Sequence, residues 1–143
     1  MAQQFCTFLL DGHLFGVPVD TVQEVLKRQE MTAVPMAPRE VCGLLNLRGQ
    51  IVTTLDLRTR LGLPPRLDES TAINIVVRAA DGAVSLLVDE IGDVLEPADG
   101  DFETPPDTVP VAVRALVTSV CKLDGRLLLV LDTELAISVG TPA

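Results

Sequence analysis

One pattern recurs four times along these 143 residues: an alternating apolar run, a two-residue turn ending in glycine, a second alternating run, then an aspartate. The turns are Asp11-Gly12, Arg48-Gly49, Asp81-Gly82 and Asp124-Gly125, and the closing acids are Asp20, Asp56, Asp89 and Asp132. Apolar alternation with period two is the mark of a half-buried strand. A glycine turn between two such runs predicts a hairpin, because the tight turn needs a residue tolerant of positive φ. Many short strands at close spacing predict a barrel or sandwich. After each closing acid comes a short stretch with helical potential, for which Asp is a suitable N-cap.

The blocks Asp11–Leu26 and Asp81–Leu95 match most closely. Each runs from Asp-Gly through an apolar strand to Val-Asp, then Val22 or Ile91, then Val25-Leu26 or Val94-Leu95. This internal repeat predicts two similar β subdomains. The first comprises strands at Phe5–Leu10 and Leu14–Val19, then Val22, Val25 and Leu26 at a spacing that suits a helix or a further strand. Met31–Pro38 is a proline-punctuated loop, and the hairpin around Arg48-Gly49 follows. The second begins near Ala72, with strands from Ile73, across Asp81-Gly82 to Val88, and at Ile91–Leu95. Pro97–Pro110 reads as a long exposed loop. Ala115–Leu123 and Leu127–Leu131 form the last hairpin, Asp132–Ser138 a helix of one to two turns, and Thr141–Ala143 a loose end.

A chain of this length predicts one domain able to bury about two thirds of its unfolded surface, with no need of disulfide or metal. Hydrophobic residues make up 48% but aromatics only 3%, so the core must be Val, Leu and Ile, a composition that suits strands. Three cysteines, Cys6, Cys42 and Cys121, are widely spaced and fit neither a disulfide framework nor a zinc site. No signal peptide or membrane-length apolar run is expected, which predicts a soluble cytoplasmic protein. The net charge of −9 is uneven: residues 67–113 carry one cation, Arg78, and eleven acids. An acidic middle is the wrong surface for a phosphate backbone, so nucleic acid is not an expected partner.

Catalytic constellations are scarce. His13 is the only histidine and sits beside a turn, so no Ser–His or Cys–His pair can form without it. No C-x-x-C, H-x-x-x-H or glycine-rich phosphate loop occurs, and no cofactor or metal is expected. The carboxylates Asp89, Glu90, Asp93 and Glu96 are the remaining candidates for acid–base work. They support an alternative reading as a small carboxylate-dependent hydrolase or lyase. Caps and solvated surface account for them more simply.

The segment Cys42–Leu63 carries the most information. Alternation puts Leu45 and Leu47 on one face of the strand and Leu44, Asn46 and Arg48 on the other, which holds a guanidinium at the end of a hairpin. Read alone, Arg48 is half of a local ion pair. The run G-L-L-N-L-R-G-Q-I-V-T-T-L-D-L-R (residues 43–58) resembles the signature of the CheW family, the receptor–kinase coupling proteins of bacterial chemosensory arrays. DGHLFGVPVDTVQEVL (11–26) and LLVDEIGDVLEP (86–97) resemble the family's flanking blocks, in the family's order.

This resemblance implies a mainly β fold of two packed five-stranded SH3-like barrels with short helices. It implies a single CheW-like domain over 1–143, with barrel subdomains mixing roughly 5–70 and 71–131 and a short C-terminal helix at 132–138. The implied function is that of a non-catalytic scaffold, with no cofactor. The implied partners are the regulatory domain of the histidine kinase CheA, the cytoplasmic tips of methyl-accepting chemoreceptors, and further CheW copies in rings, without membrane insertion. The implied place is the cytoplasm, at membrane-associated receptor arrays. Positions matching the family's functional ones are Val22, Glu24 and Gly43 for kinase contact, and Arg48, Ile73, Ile91 and Val94 for the receptor. Arg48 is expected to pair with Glu24 or another acid, and a side chain at Gly43 to meet neighbouring backbone if the approach there is close.

Overall fold

A computed structural model describes residues 3–80 and 82–138, and of Glu69 and Asp99 the backbone alone. The expectations for Asp81 and for Thr141–Ala143 lie outside the described residues. The strands are β1 (Phe5–Leu10), β2 (His13–Pro18), β3 (Val22–Lys27), β4 (Val41–Leu47), β5 (Gln50–Asp56), β6 (Ile73–Ala79), β7 (Gly82–Val88), β8 (Glu90–Leu95), β9 (Phe102–Glu103), β10 (Val117–Leu123) and β11 (Arg126–Leu131). The short helices are α1 (Leu57–Arg60), α2 (Val111–Arg114) and α3 (Thr133–Ile137).

Asp11-Gly12, Arg48-Gly49 and Asp124-Gly125 turn between the paired ends Leu10–His13, Leu47–Gln50 and Leu123–Arg126. The third hairpin departs from the expected register. Ala79 pairs with Gly82, so Gly82 opens β7 and does not sit in the turn. The core decides this: the observed register sets Ile73, Ile75 and Val77 opposite Val88, Leu86 and Val84, and a slip of one residue would turn one of those rows outward. Val22–Lys27 is a strand and not a helix. Its alternating half-buried and exposed residues pair with β6 as a sheet edge.

Two of the four closing acids cap helices. Asp56 accepts from the Arg58 amide at 3.0 Å and Asp132 from the Leu135 amide at 3.1 Å. Asp20 lies inside a 3-10 turn that Pro18 begins, and Asp89 leads directly into β8, so neither is an N-cap. The Pro97–Pro110 stretch is less plain than a loop, since it holds a 3-10 turn at Asp99–Asp101 and β9.

The strands form two sheets, ordered β3-β6-β7-β5-β4 and β8-β1-β2-β11-β10-β9. The first is called the mid-chain barrel, the second the terminal barrel. The sixth strand of the terminal barrel is β9, two residues long. Leaving it aside, the two orders correspond strand for strand, with β6-β7 matching β1-β2, β3 matching β8, and β4-β5 matching β10-β11. Even β9 has a counterpart, the single bridge of Thr32 to Leu44 along the outer edge of β4.

The repeats, β1–β5 and β6–β11, do not each build one barrel. β3 leaves its own hairpin to pair with β6, and β8 returns to pair with β1. The parallel pairs β5–β7 and β11–β2 cross between the repeats in the same way. Each sheet therefore takes its first hairpin from one repeat and its other strands from the other.

The main core lies between the sheets. Phe8, Leu10, Phe15, Val17, Leu129 and Leu131 from the terminal barrel meet Leu55, Ile75, Val77, Leu86 and Val88 from the mid-chain barrel. Leu57 and Leu61, Val113, and Ala136 bring the three helical segments onto this core. A second cluster, Phe5, Leu14, Cys121, Leu128 and Val130, with Leu95 and Phe102 against it, fills the terminal barrel. The Phe5 and Phe102 rings are 5.8 Å apart, which draws β9 onto β1 and closes that barrel.

Candidate functional site

The expected Arg48–Glu24 pair forms. Arg48 occupies the left-handed turn position (φ 52°), Gly49 follows at φ 85°, and the Asn46 carboxamide accepts from the Gly49 amide at 3.0 Å. This turn directs the guanidinium across to β3, where its two terminal nitrogens meet the two Glu24 oxygens at 2.6 and 3.1 Å. β3 and β4 are opposite edges of the mid-chain sheet, so this forked contact joins the edges and closes the barrel's mouth. Arg48 is 74% exposed and Glu24 only 17%, so the guanidinium lies over a sheltered carboxylate.

Bulges aim the apolar candidates. On β8, Ile91 pairs with Phe8 and Val94 with Cys6, so Gly92 and Asp93 together face Thr7. Three residues apart on a regular strand, Ile91 and Val94 would point to opposite faces; the bulge returns both to the face that meets the main core. Glycine at 92 leaves room for the Thr7 hydroxyl, which donates to the Asp93 carbonyl; a Cβ there would come within 2.5 Å of that hydroxyl and displace it. β3 repeats the device. An extra residue at Gln23 leaves Val22 opposite Val77 and Val25 opposite Ile75, again on the core-facing side.

Four apolar residues thus project from two edge strands toward the rim of the main core. Val25, Ile91 and Val94 are 41, 43 and 56% exposed. Val22 and Ile73 are half-buried and pack on the core. Val25 was missed in choosing site residues from the sequence. The signal was present in the repeat itself, which aligns Val25 with Val94.

The seven candidates do not converge on one point. Glu24 and Arg48 touch. Val22 shares a strand with Glu24 but a core-facing side with Ile73, Ile91 and Val94. Gly43 lies on β4 opposite Thr54, next to the bulge at Cys42. The anticipated close approach is present there: a Cβ would fall 2.7 Å from the Thr32 carbonyl oxygen and 3.1 Å from the Met31 Cβ. Gly43 lets the Met31–Thr32 segment lie against β4, so a larger residue there disturbs the fold as well as any contact surface.

The second feature missed from sequence is an ion-pair cluster where the repeats exchange. Asp89 is bound by Arg58 through Nε at 2.9 Å and through Nη2, by Arg66 Nε at 3.1 Å, and by the Asp11 amide at 2.8 Å. Arg66 also reaches Asp56 at 3.0 Å. Arg58 and Arg66 are nearly buried, at 13 and 4% exposure. Burial alone would push the Asp89 carboxyl up, but the bonds from Arg58, the Asp11 amide and Arg66 outweigh it and hold the carboxyl below the usual carboxylate range. The hydrogen bond to Asp89 raises the Arg58 guanidinium in turn.

This cluster also answers the hydrolase alternative. A hollow of about 580 Å³ adjoins Asp89 and Glu90, but Arg58 and Arg66 line it and engage Asp89, while Asp93 and Glu96 do not line it. Glu90, Asp93 and Glu96 are exposed. Asp56 and Asp89 are both engaged by Arg66, and among the described residues no group of three His, Cys, Asp or Glu is arranged to hold a metal. Among the described residues, no helix is long and apolar enough to cross a membrane.

Comparison with known proteins gives a consistent result. The model of the CheW-like domain matches residues 4–139. The chain is 30% identical over 133 residues to the chemotaxis protein CheW of Bacillus subtilis, spanning 92% of this chain and 85% of that one. It is 31% identical over 131 residues to CheW of Thermotoga maritima, spanning 90 and 83%. The crystal structure of the scaffolding protein TtCheW from Thermoanaerobacter tengcongensis superposes with a TM-score of 0.88 at 27% identity, covering 98% of this chain and 95% of the other. The paired barrels and the three sequence blocks are those of one family, and this chain belongs to it: it is a CheW-like domain protein.

Proposed function

We propose that this chain is a non-catalytic scaffold coupling the cytoplasmic tips of chemoreceptors to the regulatory domain of the histidine kinase CheA. It would work in the cytoplasm at membrane-associated arrays, with further copies of its kind in rings, and without cofactor, metal or nucleic acid. The observation that carries this reading is the pair of edge strands, β3 and β8, whose bulges present apolar residues beside the main core. A rigid β scaffold with apolar residues on exposed edges suits recognition of a partner's apolar face.

The receptor assignment covers Ile73, Ile91 and Val94, with Arg48 at the rim. The kinase assignment covers Val22, Glu24 and Gly43 on the mid-chain barrel. Val22 stands where the two surfaces adjoin, and Val25 extends the apolar one. The acidic surface favours partners that present cations around an apolar centre.

The test is a titration of the chain with a kinase regulatory-domain fragment and, separately, with a receptor-tip fragment. Val94→Asp is expected to weaken receptor binding at least tenfold and leave kinase binding within twofold. Equal loss for both partners, or for neither, contradicts the assignment.

A further inference from the structure

The two barrels have matching strand orders but differ in what fills them. Counting from the paired acids Asp20 and Asp89 places Asn74 at the position of Phe5 and Ser85 at that of Gly16. Counting from Asp56 and Asp132 places Thr54 at the position of Val130. In the terminal barrel Phe5 and Val130 join an apolar cluster, and Gly16 is buried without a side chain. In the mid-chain barrel all three are polar, and all three are fully buried.

One of the three, Thr54, lacks a hydrogen-bond partner. The Asn74 amide nitrogen donates to the Ser85 hydroxyl at 2.9 Å, and its carbonyl oxygen accepts from the Gln29 amide at 3.2 Å. The Thr54 hydroxyl has no partner in the protein. Leu45, Val52, Val76 and Leu87 share this interior and are buried too, but they belong to neither apolar cluster. A buried hydroxyl without a partner is destabilising, and it regains a partner once the barrel opens to water.

The edges of this barrel are also lightly held. β3 has no fully buried residue, which is equally true of its counterpart β8, so the contrast lies in what joins the open edges. The Arg48–Glu24 contact that joins β3 to the β4–β5 turn is mostly in solvent on the arginine side. In the terminal barrel the same closing role falls to apolar packing of Phe5 on Phe102.

We infer that the mid-chain barrel opens as a unit of its own, below global unfolding, with Thr54, Asn74 and Ser85 as the source of the weakness and the Arg48–Glu24 pair as its latch. Opening separates β3 from β6 at the sheet edge and leaves the terminal barrel folded. It is a conformational device built into one of two matching scaffolds, on the barrel that carries Glu24 and Gly43. The inference concerns the isolated chain and stands or falls independently of any partner assignment.

Native-state hydrogen exchange on the full chain tests it, comparing amides at matching positions: 75–77 against 6–8, and 52–54 against 128–130. Because each comparison uses the same place in the same strand order, topology cancels. The mid-chain amides are expected to exchange on the order of tenfold faster or more. Thr54→Val keeps the shape and removes the hydroxyl; it should slow the mid-chain set by about tenfold and leave the terminal set unchanged. Arg48→Gln should speed the mid-chain set alone. The wild-type comparison needs no variant, so a failure of Thr54→Val to fold does not remove the test. One common rate for matching amides in the wild type, or equal slowing of both sets by Thr54→Val, overturns the inference.

Discussion

The mid-chain and terminal barrels share a strand order and differ in how they are closed. The terminal barrel is held by an apolar interior, with Phe102 on Phe5 drawing its short sixth strand inward. The mid-chain barrel is held at its mouth by a single forked ion pair, Arg48 with Glu24. The matching positions in the terminal barrel are Asp124 and Asp93, both acids, so the pair has no counterpart there. Two near-equivalent scaffolds are thereby made chemically distinct, one with an ion-paired rim and one with two acids at the matching positions. Under the proposed function, which gives the chain two different partners, that asymmetry is useful, because discrimination rests on a difference between surfaces.

The acids that end each first hairpin offer the sharpest way to break the comparison. Asp89 holds two nearly buried arginines, while its counterpart Asp20 is exposed. Asp89→Asn should cost about 3–5 kcal/mol of stability, since it strips a partner from buried charges. Asp20→Asn should change it by less than about 0.5 kcal/mol. Urea unfolding of the two variants checks both, and equal effects would remove the distinction. Because the folded Asp89 carboxyl titrates below its unfolded value, its contribution is complete above about pH 4 and is lost as pH falls through the depressed folded value. The wild type should therefore lose stability with acid in that window more steeply than Asp89→Asn.

A smaller difference is expected at Gly43 and its counterpart Ser119. Gly43→Ala pushes a Cβ against the Thr32 carbonyl and should cost about 1–3 kcal/mol. Ser119→Ala should be close to neutral. If both alanines are neutral in thermal melts, the Met31–Thr32 segment does not lie on β4 as described.

Exchanging interior chemistry sharpens the contrast further. Thr54→Val should raise stability by about 1 kcal/mol, and Val130→Thr should lower it by about 1–3 kcal/mol, because each changes the count of unpartnered buried hydroxyls. The same sign for both, measured by chemical unfolding, would show that the two interiors do not differ in this way.

What could be read from sequence divides along the same physical line. The hairpins at Gly12, Gly49 and Gly125 were readable because Asp-Gly or Arg-Gly flanked by alternation is a local signal. The third was misplaced by one residue, since its register is set by Ile75 and Leu86 facing the distant terminal sheet. Val22–Lys27 satisfied helical and strand spacing alike, and only the hydrogen bonds to β6 decide between them. Strand exchange between the repeats has no local signature at all. The Arg48–Glu24 pair was anticipated from the family blocks, but Arg66, in a proline-rich connection, gave no hint that it would be buried on Asp89. The bulges that align Ile91 with Val94 were hidden for a related reason: a bulge shows only against the partner strand.

The smallest effect on stability is expected at Arg48, the residue to which the proposed function gives the greatest weight. Being largely exposed, the pair adds only about 0–1 kcal/mol to folding. Arg48→Lys should keep the charge but lose the fork, leaving an intermediate activity. The most direct measurement is receptor-dependent kinase activation in a reconstituted mixture of receptor fragment, kinase and this chain, with wild type and Arg48→Glu side by side. The account predicts a melting temperature within a few degrees of wild type and activation abolished by the charge reversal. Full activation by a folded Arg48→Glu protein would contradict it.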